Sequence, residues 1–153
     1  MIAVIQRVKS ASVIADGVPT GSIEQGLMIL LGVKKGDDEN DALLLANKIA
    51  KLRIFSDKDD KMNLSLQDIN GGALIVSNFT LCANYAHGNR PDYMDAEKPP
   101  RASELYEYFV SLMSERISSI GTGKFGADME ISMKADGPVT IVMDSEILKN
   151  KGK

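Results

Sequence analysis

The chain has 153 residues, 44% hydrophobic and 25% charged, with a net charge of −3, the composition of one soluble domain with a core of its own. That charge excludes a general polyanion binder, so any contact with nucleic acid must come from a local basic patch. The single cysteine, Cys82, excludes an intrachain disulfide and fits a reducing cytosol, and no apolar run approaches the roughly 18 residues of a membrane span.

In chain order, residues 2–8 and 10–15 read as strands rich in β-branched side chains. Asp16-Gly17 is a turn pair, with a short return strand over 18–23. Gly26 opens the apolar run 27–33, a central strand. Lys34 to Asp38 form a loop ending in capping acids, and Leu43, Leu44, Ala46, Ile49, Ala50 and Leu52 recur at helical spacing, so 39–52 is an amphipathic helix. Ile54-Phe55 is a short strand, 56–63 a charged loop and 73–79 a second strong strand. Residues 83–101 are polar and irregular, a loop length that in a compact domain is functional or mobile.

Ser103 is a candidate N-cap for a second amphipathic helix carrying Leu105, Tyr108, Phe109, Leu112, Met113 and Ile117. Glycines 121, 123 and 126 punctuate its exit. Residues 129–133 and 139–143 are strands around Asp136-Gly137-Pro138. The expected fold is therefore α/β, a mixed, barrel-like sheet with two amphipathic helices packed on it. One domain is expected over 1–148, with a frayed tail at 149–153. The segment Met1 to Arg7 lacks the basic-then-apolar build of a secretion signal, and the expected location is cytoplasmic.

Few residues advertise chemistry. Ser77-Asn78-Phe79-Thr80 is polar at the end of an apolar strand, either a site mouth or a strand end with local side-chain-to-backbone bonds. Gly137-Pro138 is a tight turn that either presents two adjacent carbonyls to an ammonium group or simply connects two strands. Glycines in Thr122 to Met129 permit close backbone approach, and Lys124 is placed to meet a phosphate, but the spacing is not that of a P-loop. His87, Gly88, Asn89, Arg90 and Pro91 make a small basic turn. His87 has no evident carboxylate or nucleophile partner, and Cys82 reads as a small buried hydrophobe. Asp37, Asp38 and Glu39 suit a helix start. No metal and no cofactor is expected.

Read together, five segments resemble the D-aminoacyl-tRNA deacylase family nearly end to end: Ala3 to Val8, Val76 to Leu81, Gly88 to Pro91, Gly123 to Met129 and Asp136 to Thr140. Two positions depart from the family pattern. Asn78 stands where glutamine is usual, keeping the amide with one methylene less reach, and Ala135 stands where asparagine is usual. The resemblance implies hydrolysis of the ester between a D-amino acid and the terminal ribose of tRNA, with glycyl esters on other tRNAs also accepted. It implies a homodimer whose cis Gly137-Pro138 turn enters the partner subunit's pocket and excludes L side chains by clash. By the same resemblance Ser77, Asn78, Phe79 and Thr80 form the catalytic segment. Phe125, Gly126, Ala127, Met129, Gly137 and Pro138 bind substrate, and Arg7 braces the turn.

Two mechanisms are open: Thr80 as a nucleophile, or the 2′-OH of the terminal adenosine activating water while the protein positions the ester. Arg90, Lys124 and the Lys34-Lys35 pair are candidate phosphate contacts. Two rival readings remain at this point, a relative that edits L-aminoacyl-tRNA and a non-catalytic dimer that binds the tRNA end.

Overall fold

The computed structural model describes residues 1–152. Strand β1 (Ile2–Ala15) is the long central element, followed by β2 (Val18–Ile23), β3 (Gly26–Gly32), helix α1 (Glu39–Lys51), β4 (Phe55–Ser56), β5 (Met62–Leu64) and β6 (Gly72–Ser77). A short 3-10 helix (Phe79–Cys82) leads through a long loop to α2 (Arg101–Ser114), β7 (Ser119–Thr122), β8 (Met129–Asp144) and α3 (Ser145–Lys149). The main sheet runs β2-β1-β3-β6-β7, with β8 on the other edge of β1 and β4-β5 as a separate pair. β3 to β6 and β6 to β7 are parallel; the pairs that β1 makes are antiparallel.

β1 serves two faces. Ala3 and Ile5 point to the helices, whereas Val8, Ala11 and Val13 point inward with Ile23, Met28, Leu74 and Val76. The change of phase falls between Val8 and Ser10, where the register with β8 shifts. One extra residue reverses which face the following side chains occupy. The sequence shows this junction as a gap between two expected strands at residue 9; the structure makes it one bent strand. The sheet nearly closes on itself because β2 and β7 touch. A Cβ on Gly21 would lie 2.7 Å from the backbone N and O of Thr122, so only glycine allows that approach.

The other face is covered by α1 and α2, with Leu45, Ile49, Leu105, Phe109 and Met113 against Ile5, Leu27, Ile29 and Ile75. α1 starts with a reciprocal cap: Asp38 accepts from the backbone N–H of Asn40 and Asp41, and Asp41 accepts from that of Asp38. α2 starts two residues before the expected Ser103 cap, directly after the cis Pro99-Pro100 bond. Ser103 instead donates from Oγ to the Pro100 carbonyl at 2.8 Å.

Other differences from expectation are local. β6 stops at Ser77, because residues 79–82 wind into the 3-10 helix. The charged loop 56–63 contains the start of β5, which the alternation was too short to show. β7 forms where only glycine punctuation was read. The expected loose tail is helical at Lys149 and in a 3-10 turn through Gly152, while Lys153 lies outside the described residues. Lys149 Nζ reaches the fully buried Asp41 at 2.8 Å and ties α3 to α1.

Burial on its own would raise the pKa of Asp41, but bonds from Lys149, Ser145 and the Asp38 N–H outweigh it and hold the carboxyl well below its usual range. A carboxyl with a lower pKa in the folded chain contributes stability in full above its unfolded pKa of about 3.9, lost as pH falls toward the folded value. Asp41→Asn is expected to cost roughly 1–3 kcal/mol at neutral pH and to flatten the acid loss of stability below about pH 4. Urea midpoints measured across pH check both.

Candidate active site

Parallel strands leave their carboxyl ends together, and clefts form where the following loops diverge. Here β3, β6 and β7 do so. The Ser77–Thr80 segment leaves β6 and the 123–128 segment leaves β7. Two adjoining recesses open at this end and share Ser77, Phe79, Phe125 and Gly126. One, about 510 Å³, is completed by Asn78, Thr80, Ala127, Asp128 and Met129. The other, about 350 Å³, is walled by Leu31, Val33, Tyr93, Lys98, Pro99 and Ala102.

The Ser77–Thr80 segment is held by its backbone. Asn78 N–H donates to the Leu31 carbonyl at 2.8 Å, which carries the β3-β6 pairing one step past Ser77. The chain then turns into the 3-10 helix, with Leu81 N–H on the Asn78 carbonyl. The backbone N–H groups of Phe79 and Thr80, at the first turn, have no carbonyl partner among the described residues. The Thr80 hydroxyl donates to the side-chain oxygen of Asn78. Its proton therefore rests on an amide, which is no base, and its lone pairs face solvent. Among the described residues Asp128 is the one titratable side chain lining this recess, and it makes no bond to Thr80.

Phe125 is half-buried and packs on Tyr106 at 5.9 Å between ring centroids. Tyr106 is buried and donates to the Ile75 carbonyl at 2.8 Å. Burial, with a smaller contribution from Glu107, pushes its phenol up to about 12, so it works as a prop for the Phe125 wall and not as an acid. Burial likewise pushes the Cys82 thiol up, with its Sγ 3.6 Å from the Val33 carbonyl. Among the described residues no three His, Cys, Asp or Glu side chains are grouped as metal ligands are.

Gly137 and Pro138 lie elsewhere. The β8 ladder to β1 skips from Ala135 to Thr140, so Asp136 to Val139 bulge from it, with Val139 still packed on the core and Gly137-Pro138 turned out to solvent. The Gly137-Pro138 bond is cis, and Gly137 has φ of 136°. Both residues are exposed, and neither lines the two recesses. Arg7 fixes the base of the turn. Its Nε donates to the Asp136 carbonyl at 3.1 Å, and its NH1 donates to the Ile54 carbonyl at 2.8 Å. Arg7 faces Leu27 at the amino end of β3, whereas the Thr80 segment leaves beside Leu31. Four strand residues separate those ends by about 13 Å.

The structure thus brings Ser77, Asn78, Phe79, Thr80, Phe125, Gly126, Ala127 and Met129 together and keeps Arg7, Gly137 and Pro138 apart from them. It adds Tyr93, Lys98 and Pro99 from the long loop, and Asp128. The length of that loop was the sequence signal for the first three, and Asp128 lay inside the Gly123 to Met129 segment without being singled out. Of the phosphate candidates, Lys34 is held by Asp144 at 3.1 Å, which outweighs burial and raises the pKa of its ammonium. Lys124 lies 3.9 Å from Asp16 on the surface, while Lys35 and Arg90 are exposed.

Residues 4–144 match the profile of the D-Tyr-tRNA(Tyr) deacylase family. The chain is 52% identical over 148 residues to a D-aminoacyl-tRNA deacylase from Sulfurihydrogenibium, covering 97% of this chain and 100% of that one. It is 50% identical over 147 residues to one from Thermosipho melanesiensis, covering 95% and 98%. Among solved structures it is similar to a c-Myc DNA unwinding element binding protein, with a TM-score of 0.88 and 36% identity over 94% of this chain and 98% of that one. A probable eukaryotic D-amino acid tRNA deacylase shares the fold, with a TM-score of 0.76 at 15% identity over 94% of this chain and 98% of that one.

Arg7 is about nine-tenths buried and its loss strands the buried Ile54 carbonyl. Arg7→Met is expected to cost roughly 1–3 kcal/mol and to speed protease cleavage near residues 135–140. Urea unfolding and limited proteolysis with mass mapping check it.

Proposed function

The chain belongs to the D-Tyr-tRNA(Tyr) deacylase family and is an ester hydrolase; from that premise we propose that it acts on D-aminoacyl-tRNA as a homodimer in which each Gly137-Pro138 turn completes the pocket of the other subunit. One observation carries this reading. The turn is exposed, stands off the sheet and lines neither recess of its own chain. A turn braced by a buried arginine yet facing solvent is suited to a surface outside its own fold. A second copy supplies one, and the long free edge of β8, which pairs only with β1, offers a place for the copies to meet.

Within that pocket the two carbonyls of the turn hold the α-ammonium group. An L side chain then runs into the turn, and a D side chain points away. Rejection by clash needs no tight binding of the accepted substrate. Glycine has no side chain to reject, so glycyl-tRNA is hydrolysed too. Phosphate contacts are few and local, as the net charge requires, and the site takes the 3′ end common to many tRNAs. The expected compartment is the cytoplasm, and the chain forms one domain that includes α3, whose Lys149 is tied to Asp41.

The ester is already activated, so orientation and stabilisation of the developing oxyanion carry the rate. The free N–H groups of Phe79 and Thr80 are the donors for that oxygen. Thr80 is a poor nucleophile here, since its proton sits on the Asn78 amide and no base touches it. Thr80 therefore accepts a hydrogen bond from the substrate, and the 2′-OH of the terminal adenosine activates water. Asn78 has the reach to hold Thr80 despite being shorter than the usual glutamine. Ala135 lies exposed opposite Val8, so the missing asparagine leaves no buried group unpaired.

D-Tyrosyl-tRNA should be deacylated at least about 100-fold faster than L-tyrosyl-tRNA. Gly137→Ala should abolish this without unfolding the protein, because an added Cβ would lie 2.5 Å from Val139 N within an exposed turn. Rapid loss of both esters would favour the L-editing rival, and loss of neither would favour the non-catalytic one. Thr80→Ala should lower the rate about 10- to 100-fold. A tRNA ending in 2′-deoxyadenosine should be hydrolysed poorly; its normal turnover, or a trapped acyl-Thr80, would overturn the RNA-assisted step.

A further inference from the structure

Single-stranded nucleic acid is held by aromatic rings on which successive bases stack, a mode that works for any base. The two recesses, about 510 and 350 Å³, take one aminoacyl group and one nucleotide. On the deacylase reading, the nucleotide 5′ of the terminal adenosine lies outside them and crosses the rim.

Part of that rim is a hairpin that the proposed reaction does not use. Asn84 and Asp92 exchange backbone bonds of 2.8 and 2.9 Å. The Asn84 side chain accepts from Ala86 N–H and the Asp92 side chain from Met94 N–H, so both legs are held. The root is tied to the end of β3 by Lys35 N–H on the Asp95 carbonyl and Glu97 N–H on the Val33 carbonyl. Tyr93, next to this bridge, lines the smaller recess and packs edge-on against Phe79 at 5.0 Å. Tyr85, next to it on the other leg, is 82% exposed and pairs with no aromatic ring among the described residues.

We propose that Tyr85 is a stacking platform for the unpaired nucleotide immediately 5′ of the terminal adenosine, with Arg90 on the same hairpin beside its phosphate. Because both legs of the hairpin are held, little backbone freedom remains to be lost when the ring takes a base. At the tip beside it, His87, Asn89 and Arg90 offer hydrogen-bonding groups and one fixed positive charge for a phosphate, while the acids Asp92 and Asp95 and the exposed Met94 lie on the return leg. This inference rests on the deacylase reading and adds a contact beyond the pocket.

The test compares D-tyrosyl-tRNA with the D-tyrosyl ester of adenosine alone, using wild type, Tyr85→Ala and Tyr85→Phe. Tyr85→Ala should raise KM for the tRNA substrate about 10-fold, leave kcat near wild type and leave the adenosine ester unaffected, while Tyr85→Phe keeps wild-type KM. An equal loss on both substrates, no loss on either, or an altered oligomeric state with the loss would overturn the platform and leave the deacylase reading standing. Should wild type hydrolyse neither ester, the deacylase reading fails by itself. Anisotropy of a labelled ACCA tetranucleotide then still decides the platform: weaker binding by Tyr85→Ala supports it, and equal binding overturns it.

Discussion

The architecture depends on how closely β3 and β6 lie side by side. Gly26 faces Gly72 in this parallel pair, and a Cβ on Gly26 would sit 1.9 Å from the Gly72 carbonyl oxygen. With that contact, Leu27, Ile29 and Leu31 align with Ala73 and Ile75 to form the surface that α1 and α2 cover. Met28, Leu74 and Val76 align on the other side to fill the barrel. The same parallel direction brings the carboxyl ends of both strands to one place, where the Thr80 segment departs. Packing and site are thus two results of one pairing.

The molecule has two separate ends of chemical interest. At one, the Thr80 hydroxyl donates to the Asn78 amide oxygen above a recess, with no base in contact with Thr80. At the other, a buried guanidinium joins Ile54 to the foot of an exposed Gly-Pro turn. Neither end looks complete. The first has free N–H donors with a single carboxylate, Asp128, in its lining, and the second has carbonyls in a fixed turn that lines neither recess of its own chain. Their complementarity is the physical basis for reading the active unit as two chains.

Site chemistry here is made almost wholly of backbone and neutral side chains. The titratable groups with displaced pKa values do structural work elsewhere. Tyr106 props a wall, Asp41 and Lys149 clasp two helices, and Glu39, at about 2, is held there first by its hydrogen bonds to Arg101. A search for perturbed acids and bases therefore misses the place where the ester would lie, and the segments at strand ends mark it better.

Local pattern determined much by itself. Alternating β-branched runs, a capped amphipathic helix and glycine-rich turns were legible, as was the Ser77–Thr80 segment, because each depends on neighbours a few residues away. The resemblance carried the family. What the tertiary structure decided was set by contacts distant in sequence. The 3-10 turn ends β6 early, where Asn78 bonds to Leu31. The 84–97 loop reaches the rim because its root bonds to the end of β3. β7 exists as a strand only beside β6, since Ser119 to Thr122 is too short and too rich in small residues to declare itself. Above all, Gly137-Pro138 is identical in sequence whether it lines its own pocket or another's. Only the register of β8 on β1, set by the fold, puts that turn on the outside.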